Sequence, residues 1–577
     1  MTLTLDPPGQ AEARRGALRR LWDAPVHMHL LGLALVLLVA VPVVGTNASF
    51  SSDEGAGIIQ GRSLAAGDGW IVEHRMPEVD PEGTMYPLIS SERGSKGWAP
   101  LAKHPVYSLL LAGGSRLVGV AGMMLLSVAG TVAAAGLAAA LATRLDPALP
   151  RATVWVVGLA SPLFFDSFLI MGHTLGAASA VGATLCAVRA IVDRRPAMAL
   201  GVAAFVGGAV LLRSEAVLFA VSLAMVASVL ALRDRPRLHA FLVAGTALGA
   251  AVVARAAETA WLARIVGTVP PVMRAPASIG GDGFAQGRAE SFFITWLMPG
   301  YDPSPMAIML LTAMLAGVAA AAFEARRGPS TRARVLAPAA FAACAAVVAV
   351  VIAPAVVPGL LIAFPVLTAG LLVLRRSLFR DVGTTVAMGT STMFAVAVVA
   401  TQSPTGGTGE WGGRYFALAI PVVVPVVLLA LYRHGQTMER VVRRGAMGAL
   451  AVCSVALMMT ALLGMRSSHQ ESAAVVRSIE RAHEVAGPGR PFVSTWQAAP
   501  RYSWSIFDRG PWLMVDRREM GGLRASLAQV GTDRFVFISA SPAADQPLLE
   551  GLEVVWAGER FDGRVRITVL QRPAVAQ

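Results

Sequence analysis

The sequence predicts an α-helical polytopic membrane protein that ends in a small α/β domain. Of its 577 residues only 15% are charged, and the mean hydropathy is +0.60; an ordinary soluble enzyme has neither property. Apolar runs long enough to cross about 30 Å of hydrocarbon recur along most of the chain. After residue 464 that pattern stops, and short β-branched and aromatic runs alternate with helical ones.

The formal net charge of +13 would suit a nucleic-acid partner if it covered a surface. Instead, Arg residues cluster in short loops between apolar runs, as the positive-inside rule requires, and no nucleic-acid partner is expected. Lysine is confined to Lys96 and Lys103. Cys186, Cys344 and Cys453 lie inside apolar runs, which argues against a disulfide framework and a thiolate metal site.

Residues 1–27 carry Arg14, Arg15, Arg19 and Arg20 ahead of an apolar run at 30–44. They read as a cytoplasmic basic segment before an uncleaved signal anchor. A membrane module spans 28–464. Its first span ends near Thr46 and opens into a long outer loop, 47–105. The stretch HPVYSLLLAGGSRLVG then predicts a helix lying at the interface. Further spans follow at 122–143, 153–170 and 174–191, and on either side of 212–215. Others are expected at 241–259, after Pro305, around 354–358, at 384–399, after Tyr415 and up to Gly464. The total is about thirteen, and every cluster of two or more Arg in a short loop falls on one side.

Residues 465–577 predict an amphipathic helix at 467–484, strands at 491–496, 534–540, 552–556 and 565–571, and a helix at 518–530. This is a small α/β domain, and the odd span count places it outside the membrane. No internal repeat is evident, whereas an inverted-repeat transporter would show one.

Polar residues with chemical potential gather at the outer face. Asp53 and Glu54 begin the first outer loop, directly after the first span. Lys103 and His104 close that loop. Arg213 and Glu215 mark the outer mouth of spans five and six. Glu410, Arg414 and Tyr415 precede span twelve. Asp166 and His173 flank the turn between spans three and four, and read as structural with an accessory role as the alternative. Charges at span mouths are costly and mark function by default. Trp70 and Trp98 read as interface anchors, with stacking on a sugar as the alternative. Arg274, Asp282, Arg288 and Glu290 lie in the loop after span seven; Arg274 and Arg288 read as solvated, with closure of that loop over the site as the alternative. The Gly-rich runs 280–283 and 405–409 do not lie between a strand and a helix as a phosphate-cradling loop does. No His or Cys spacing suits a metal.

The inventory meets the demands of sugar transfer from a lipid carrier. The donor's phosphate sits near the headgroups while its chain stays in lipid, and Arg or Lys at span mouths suits it. The acceptor hydroxyl loses a proton as it attacks the anomeric carbon, and a nearby carboxylate takes it. The leaving group is already a phosphate ester, so it needs charge stabilisation more than protonation.

Four stretches, SSDEGAGIIQGRSLAAGDGW, KHPVYSLLLAGG, LLRSEAVLF and EWGGRYFALAIP, resemble in order and side the GT-C fold glycosyltransferases that use polyprenyl-phosphate sugars. That class includes protein mannosyltransferases, the aminoarabinose transferase of lipid A and arabinofuranosyltransferases. The resemblance implies a GT-C-like membrane module with Asp53 as catalytic carboxylate and Glu54 as its neighbour or understudy. It places Arg213 and the Lys103–His104 segment at the donor phosphate; Arg414 and Tyr415, at the mouth of span twelve, are expected to join them. The implied partners are a polyprenyl-phosphate sugar donor, with mannose or arabinose as the sugars in view, and an extracytoplasmic glycan, lipid or protein acceptor in the bacterial plasma membrane. Some relatives use a divalent metal. The chain departs from the resemblance at His104, where many relatives carry Pro, and at Ser214, in a segment that is usually Arg-Pro-Glu-like. The rival expectation is a transporter or flippase of a lipid-linked envelope precursor.

Overall fold

In the computed structural model of the chain, the described residues are 22–88, 92–101, 104–233, 237–267, 287–289, 292–298, 304–327, 332–353, 356–401, 411–561 and 563–573. Helix α1 (Val26–Val44) buries Leu33, Leu37, Ala40 and Val44 and turns Leu31, Leu35 and Val39 outward. Leucine and valine on both faces are what a lipid-facing helix requires.

The chain next enters a helix, not an irregular loop. Helix α2 (Ser52–Ala66) starts at a capping box in which the Ser51 side chain accepts from the Glu54 amide and the Glu54 side chain accepts from the Ser51 amide. It stops at Gly67, whose φ of 92° few other residues adopt. The Ser51-x-x-Glu54 pattern was the legible signal for this helix. A short hairpin, β1 (Glu92–Gly94) and β2 (Gly97–Ala99), precedes the expected interfacial helix α3 (Pro105–Val118).

The bundle continues through α4 (Val120–Leu145), α5 (His173–Val192), α6 (Met198–Leu212), α7 (Ala216–Arg233), α8 (Arg237–Val266), α9 (Pro305–Arg326), α10 (Arg332–Ile352), α11 (Pro365–Leu372), α12 (Val382–Thr401), α13 (Ile420–Gln436) and α14 (Arg440–Ala486). Helix α4 is central and packs on α1, α3, α5 and α13. Its alanines at 134, 135, 138, 139 and 142 are almost fully buried, which lets neighbouring backbones approach.

Among the described residues nine helices are long and apolar enough to cross a membrane, and α6 and α13 are shorter apolar helices. The third and tenth expected spans are broken instead. At the third, a helix at Pro150–Trp155 passes into a π-helical turn, Val156–Ala160, and restarts only at Leu163–Asp166. At the tenth, Leu360–Ala363 breaks at Phe364, the residue before Pro365, where proline disfavours helical geometry.

The helix that carries the last expected span continues past residue 464. Helix α14 has 47 residues, about 70 Å at 1.5 Å per residue, so the expected span and amphipathic helix are one rod leading into the C-terminal domain. That domain holds a five-stranded sheet in the order β4-β3-β5-β7-β6. Strands β3 (Phe492–Ser494), β5 (Arg534–Ser539), β6 (Glu553–Arg560) and β7 (Val565–Gln571) fall where expected, as does helix α15 (Met520–Gln529). Strand β4 (Trp512–Met514) was not expected; its three residues are too short a run to register. It pairs parallel to β3, and β3 parallel to β5, while β5, β7 and β6 run antiparallel.

Candidate active site

The first turn of α2 sends its two carboxylates in different directions. Glu54 is 1% exposed. Its Oε2 accepts from the Ser51 amide at 2.8 Å and its Oε1 from the Ile170 amide at 2.7 Å, so its charge is held by the backbone and ties α2 to the segment after Leu163–Asp166. The Asp53 side chain is 43% exposed and points outward. Both lie where the helix dipole favours negative charge.

Two arginines converge on Asp53. Arg414 donates from Nη1 and Nη2 to Oδ2 at 3.2 and 3.1 Å, and Arg501 donates from Nη1 to Oδ1 at 3.1 Å. Arg414 opens a 3-10 turn, Arg414–Phe416, behind Gly412 and Gly413, whose φ values are 71° and 73°. A side chain at Gly412 would also lie 2.4 Å from the Pro162 ring. The glycine pair therefore aims Arg414 at α2. Arg501 sits in a short helix, Ala499–Tyr502, of the C-terminal domain. It reaches Asp53 because Gly55 presents bare backbone: a Cβ there would lie 1.9 Å from the Arg501 carbonyl oxygen. Burial lowers the Arg501 pKa, and the Asp53 charge opposes that shift. Next to it, the Tyr502 hydroxyl is pushed up to about 12, first by burial and then by the Glu54 charge.

Asp53, Arg414 and Arg501 line a cavity of about 230 Å³, with His104, Tyr107, Arg213, Glu215 and Tyr415 on its other walls. Arg213 donates from Nε to Glu215 at 2.7 Å, and both are almost fully buried. His104 Nδ1 lies 3.2 Å from Glu258, which rises from α8. Three guanidiniums face two carboxylates, Asp53 and Glu215, across the cavity, so an anion is the better-matched guest.

The turn Arg414–Phe416 also borders a second space. Arg414 and Tyr415 face the polar cavity, while Phe416 lines an apolar groove of about 620 Å³ between α11, α12, α13 and Trp296. Arg288 is on its wall, donating to the Val399 carbonyl at 3.4 Å.

No protein-family model matches the sequence, and no curated protein matches it. Similarity lies in the structure. Over 94% of this chain and 98% of the other, it is similar to ArnT from Cupriavidus metallidurans bound to undecaprenyl phosphate, with a TM-score of 0.52 and 13% sequence identity. The chain has the GT-C fold. AglB from Archaeoglobus fulgidus, in complex with an inhibitory peptide and a dolichol-phosphate, is similar over 91% of this chain and 70% of its own, at 13% identity and a TM-score of 0.49.

Within this GT-C fold, Asp53, His104, Arg213, Glu215, Arg414 and Tyr415 share one cavity. Asp166 and His173 do not line it. They pair with each other at 3.4 Å, both buried, behind the wall made by Ile170, Met171 and Gly172. Trp98 stacks on Tyr86 at 4.4 Å, and Trp70 meets Trp261 edge-on at 5.9 Å, so both rings are used in packing the loop. Lys103 and Glu410 lie outside the described residues, as do Arg274, Asp282, Glu290 and the Gly-rich runs. Sequence reasoning missed Arg501 and Glu258. Glu258 was legible as the one acid of a long, mostly apolar helix; Arg501 looked like any arginine of a soluble domain.

The described residues do not fit a divalent cation. Among the described residues no three His, Cys, Asp or Glu side chains converge, and the one exposed carboxylate of the cavity floor, Asp53, meets two guanidiniums.

Proposed function

We propose that the chain is an integral-membrane glycosyltransferase that moves a sugar from a polyprenyl-phosphate donor to a hydroxyl of an extracytoplasmic glycan, lipid or protein, with Asp53 as base. The observation that carries this reading is the junction at Arg414–Phe416, where a polar, Arg-lined cavity meets an apolar groove. A polyprenyl phosphate has the matching two parts. ArnT, with the same fold, is bound to undecaprenyl phosphate.

In this reading the lipid chain occupies the groove, and the phosphate takes hydrogen bonds from Arg414 and Arg213. Phosphate then competes with Asp53 for the Arg414 guanidinium, which frees Oδ2 to accept a proton. Arg501 keeps Oδ1 and holds the carboxylate in place. The acceptor oxygen bonds to the anomeric carbon as its proton passes to Asp53. The bond from that carbon to the phosphate oxygen breaks, and polyprenyl phosphate leaves with an added negative charge that the arginines stabilise. Glu54, with both oxygens on backbone amides, positions the α2 turn instead of standing in for Asp53. The buried pair Asp166–His173 supports the cavity wall.

The test is transfer from radiolabelled polyprenyl-phosphate mannose and arabinose in proteoliposomes. Asp53→Asn is expected to lower transfer by about two to four orders of magnitude while leaving donor binding measurable. Undiminished transfer by that variant sinks the role of Asp53, and no transfer by the wild-type chain from any donor sinks the reading itself.

A further inference from the structure

A second cavity, of about 550 Å³, lies at the other end of the membrane module. Helices α1 and α13 connect the two ends: their C-terminal and N-terminal ends, respectively, approach the Asp53 cavity, and Trp22 before α1 and His434 at the end of α13 line this one. Its walls are small and apolar, with Ala321, Ala339, Ala369 and Ala446 among them. Tyr432 and Met447 also line it and are 39% and 46% exposed, so it opens sideways between α13 and α14. Arg433, Arg443 and Arg444 flank these residues, so the opening lies at the arginine-rich ends of the two helices.

Arg443 lines this cavity, and two further cations adjoin its walls, Arg375 beside the lining His434 and Arg326 at Leu372, next to the lining Val373. Arg375 Nη2 lies 3.5 Å from Nδ1 of buried His434. Arg443, on the cavity wall, donates to the Gly435 carbonyl at 3.4 Å, and Arg326 donates to the Leu372 carbonyl at 3.1 Å. Among the described residues none of these three guanidiniums meets a carboxylate. Other arginines at this end do: Arg144 pairs with Asp193, and Arg332 with Glu439.

We propose that this cavity is a binding site for an anionic phospholipid of the adjacent leaflet. One acyl chain fills the alanine-lined space, and the phosphate sits among Arg326, Arg375 and Arg443. Neither part of the site selects this occupant alone. Free phosphate would neutralise the arginines and leave the apolar walls bare; a detergent or zwitterionic lipid tail would fill the walls and leave the cationic cluster without a counter-charge. Basic pockets between spanning helices recognise anionic headgroups for this reason. The site is independent of the glycosyl-transfer reading.

The experiment uses the full chain purified in mild detergent. Bound lipid is extracted and identified by mass spectrometry, and delipidated protein is heated in micelles doped with phosphatidylglycerol or phosphatidylcholine. Wild type is expected to retain anionic phospholipid and to gain thermal stability from phosphatidylglycerol only. Arg375→Gln/Arg443→Gln is expected to retain about tenfold less. Ala446→Phe fills the space without touching charge; it should lose retention and stay monodisperse, and it decides the matter if the double variant aggregates. Equal stabilisation by the two lipids, equal stabilisation by inorganic phosphate alone, retention of polyprenyl phosphate in place of phospholipid, or full retention by a folded Ala446→Phe would each overturn the proposal.

Discussion

Asp53 and Glu54 are adjacent, chemically alike and differently used. The helical rotation between them sends one outward into the cavity and the other inward to the Ile170 amide. Two predictions belong at this scale. Asp53→Asn should lower kcat by about two to four orders of magnitude, the range expected for loss of a general base, with little change in the Tm of the purified chain. Glu54→Gln keeps the size but has one acceptor oxygen for two backbone N–H groups, so one of them is left facing an NH2 donor; it should cost about 1–3 kcal/mol of stability, read as a lowered Tm, and leave part of the transfer activity. If Glu54→Gln is inactive at full stability, Glu54 takes part in the chemistry. Arg501→Gln removes one of the two restraints on Asp53 and is expected to lower kcat by up to about a hundredfold, the cost of a group misplaced by roughly an ångström, with donor KM changed little. Loss of donor affinity in this variant would place Arg501 on the phosphate instead.

Elements fix where these residues meet. Helix α2 can lie against Ala499–Tyr502 only because residue 55 is glycine. Gly55→Val is therefore expected to separate the C-terminal domain from α2, reducing transfer as strongly as Arg501→Gln does, and to expose the 499–508 segment to limited proteolysis. Wild-type activity and protection in Gly55→Val would show that the close approach is dispensable. The C-terminal sheet has its own polar keystone. Asp545 is buried, which by itself raises its pKa, but hydrogen bonds from Ser539 and Thr495 and the Arg517 guanidinium outweigh burial and hold it below the usual carboxylate range. A lowered folded-state pKa stabilises the fold above the unfolded value, near 3.9, and that stability is lost as pH falls through the folded value. The domain should therefore lose stability only below about pH 4. Asp545→Asn should remove that acid dependence and cost about 2–3 kcal/mol at neutral pH. An unchanged acid limb in the variant's pH–Tm curve would assign the dependence to another group.

The whole molecule joins a membrane bundle to a sheet domain through one continuous helix, α14, and closes the cavity with a residue from each side, Arg414 and Arg501. How much of this was legible follows from contrast. Asp53, Arg213 and Arg414 stood out because charge is scarce where spans end, and each lies beside an apolar run. Arg501 had no such background, since arginine is ordinary in a soluble domain. The broken third and tenth spans were read as whole ones because hydropathy averages over a window, whereas the breaks depend on a π-helical turn and on Pro365.

Composition and the placing of arginine were enough for the class of protein, the order of its apolar segments, and four of the five strands of the C-terminal sheet, because hydrophobic burial and the cost of charge in lipid act locally along the chain. The Ser51–Glu54 capping pattern is equally local, although 47–105 reads as a loop. What only the tertiary structure decided is which carboxylate faces the cavity, that Arg414 and Arg501 share it, and that a polar chamber meets an apolar groove at Arg414–Phe416. These depend on the rotation of one helix and on backbone contacts between residues several hundred positions apart, such as Gly55 with Arg501 and Gly412 with Pro162, and no local pattern encodes the angle at which two distant segments meet.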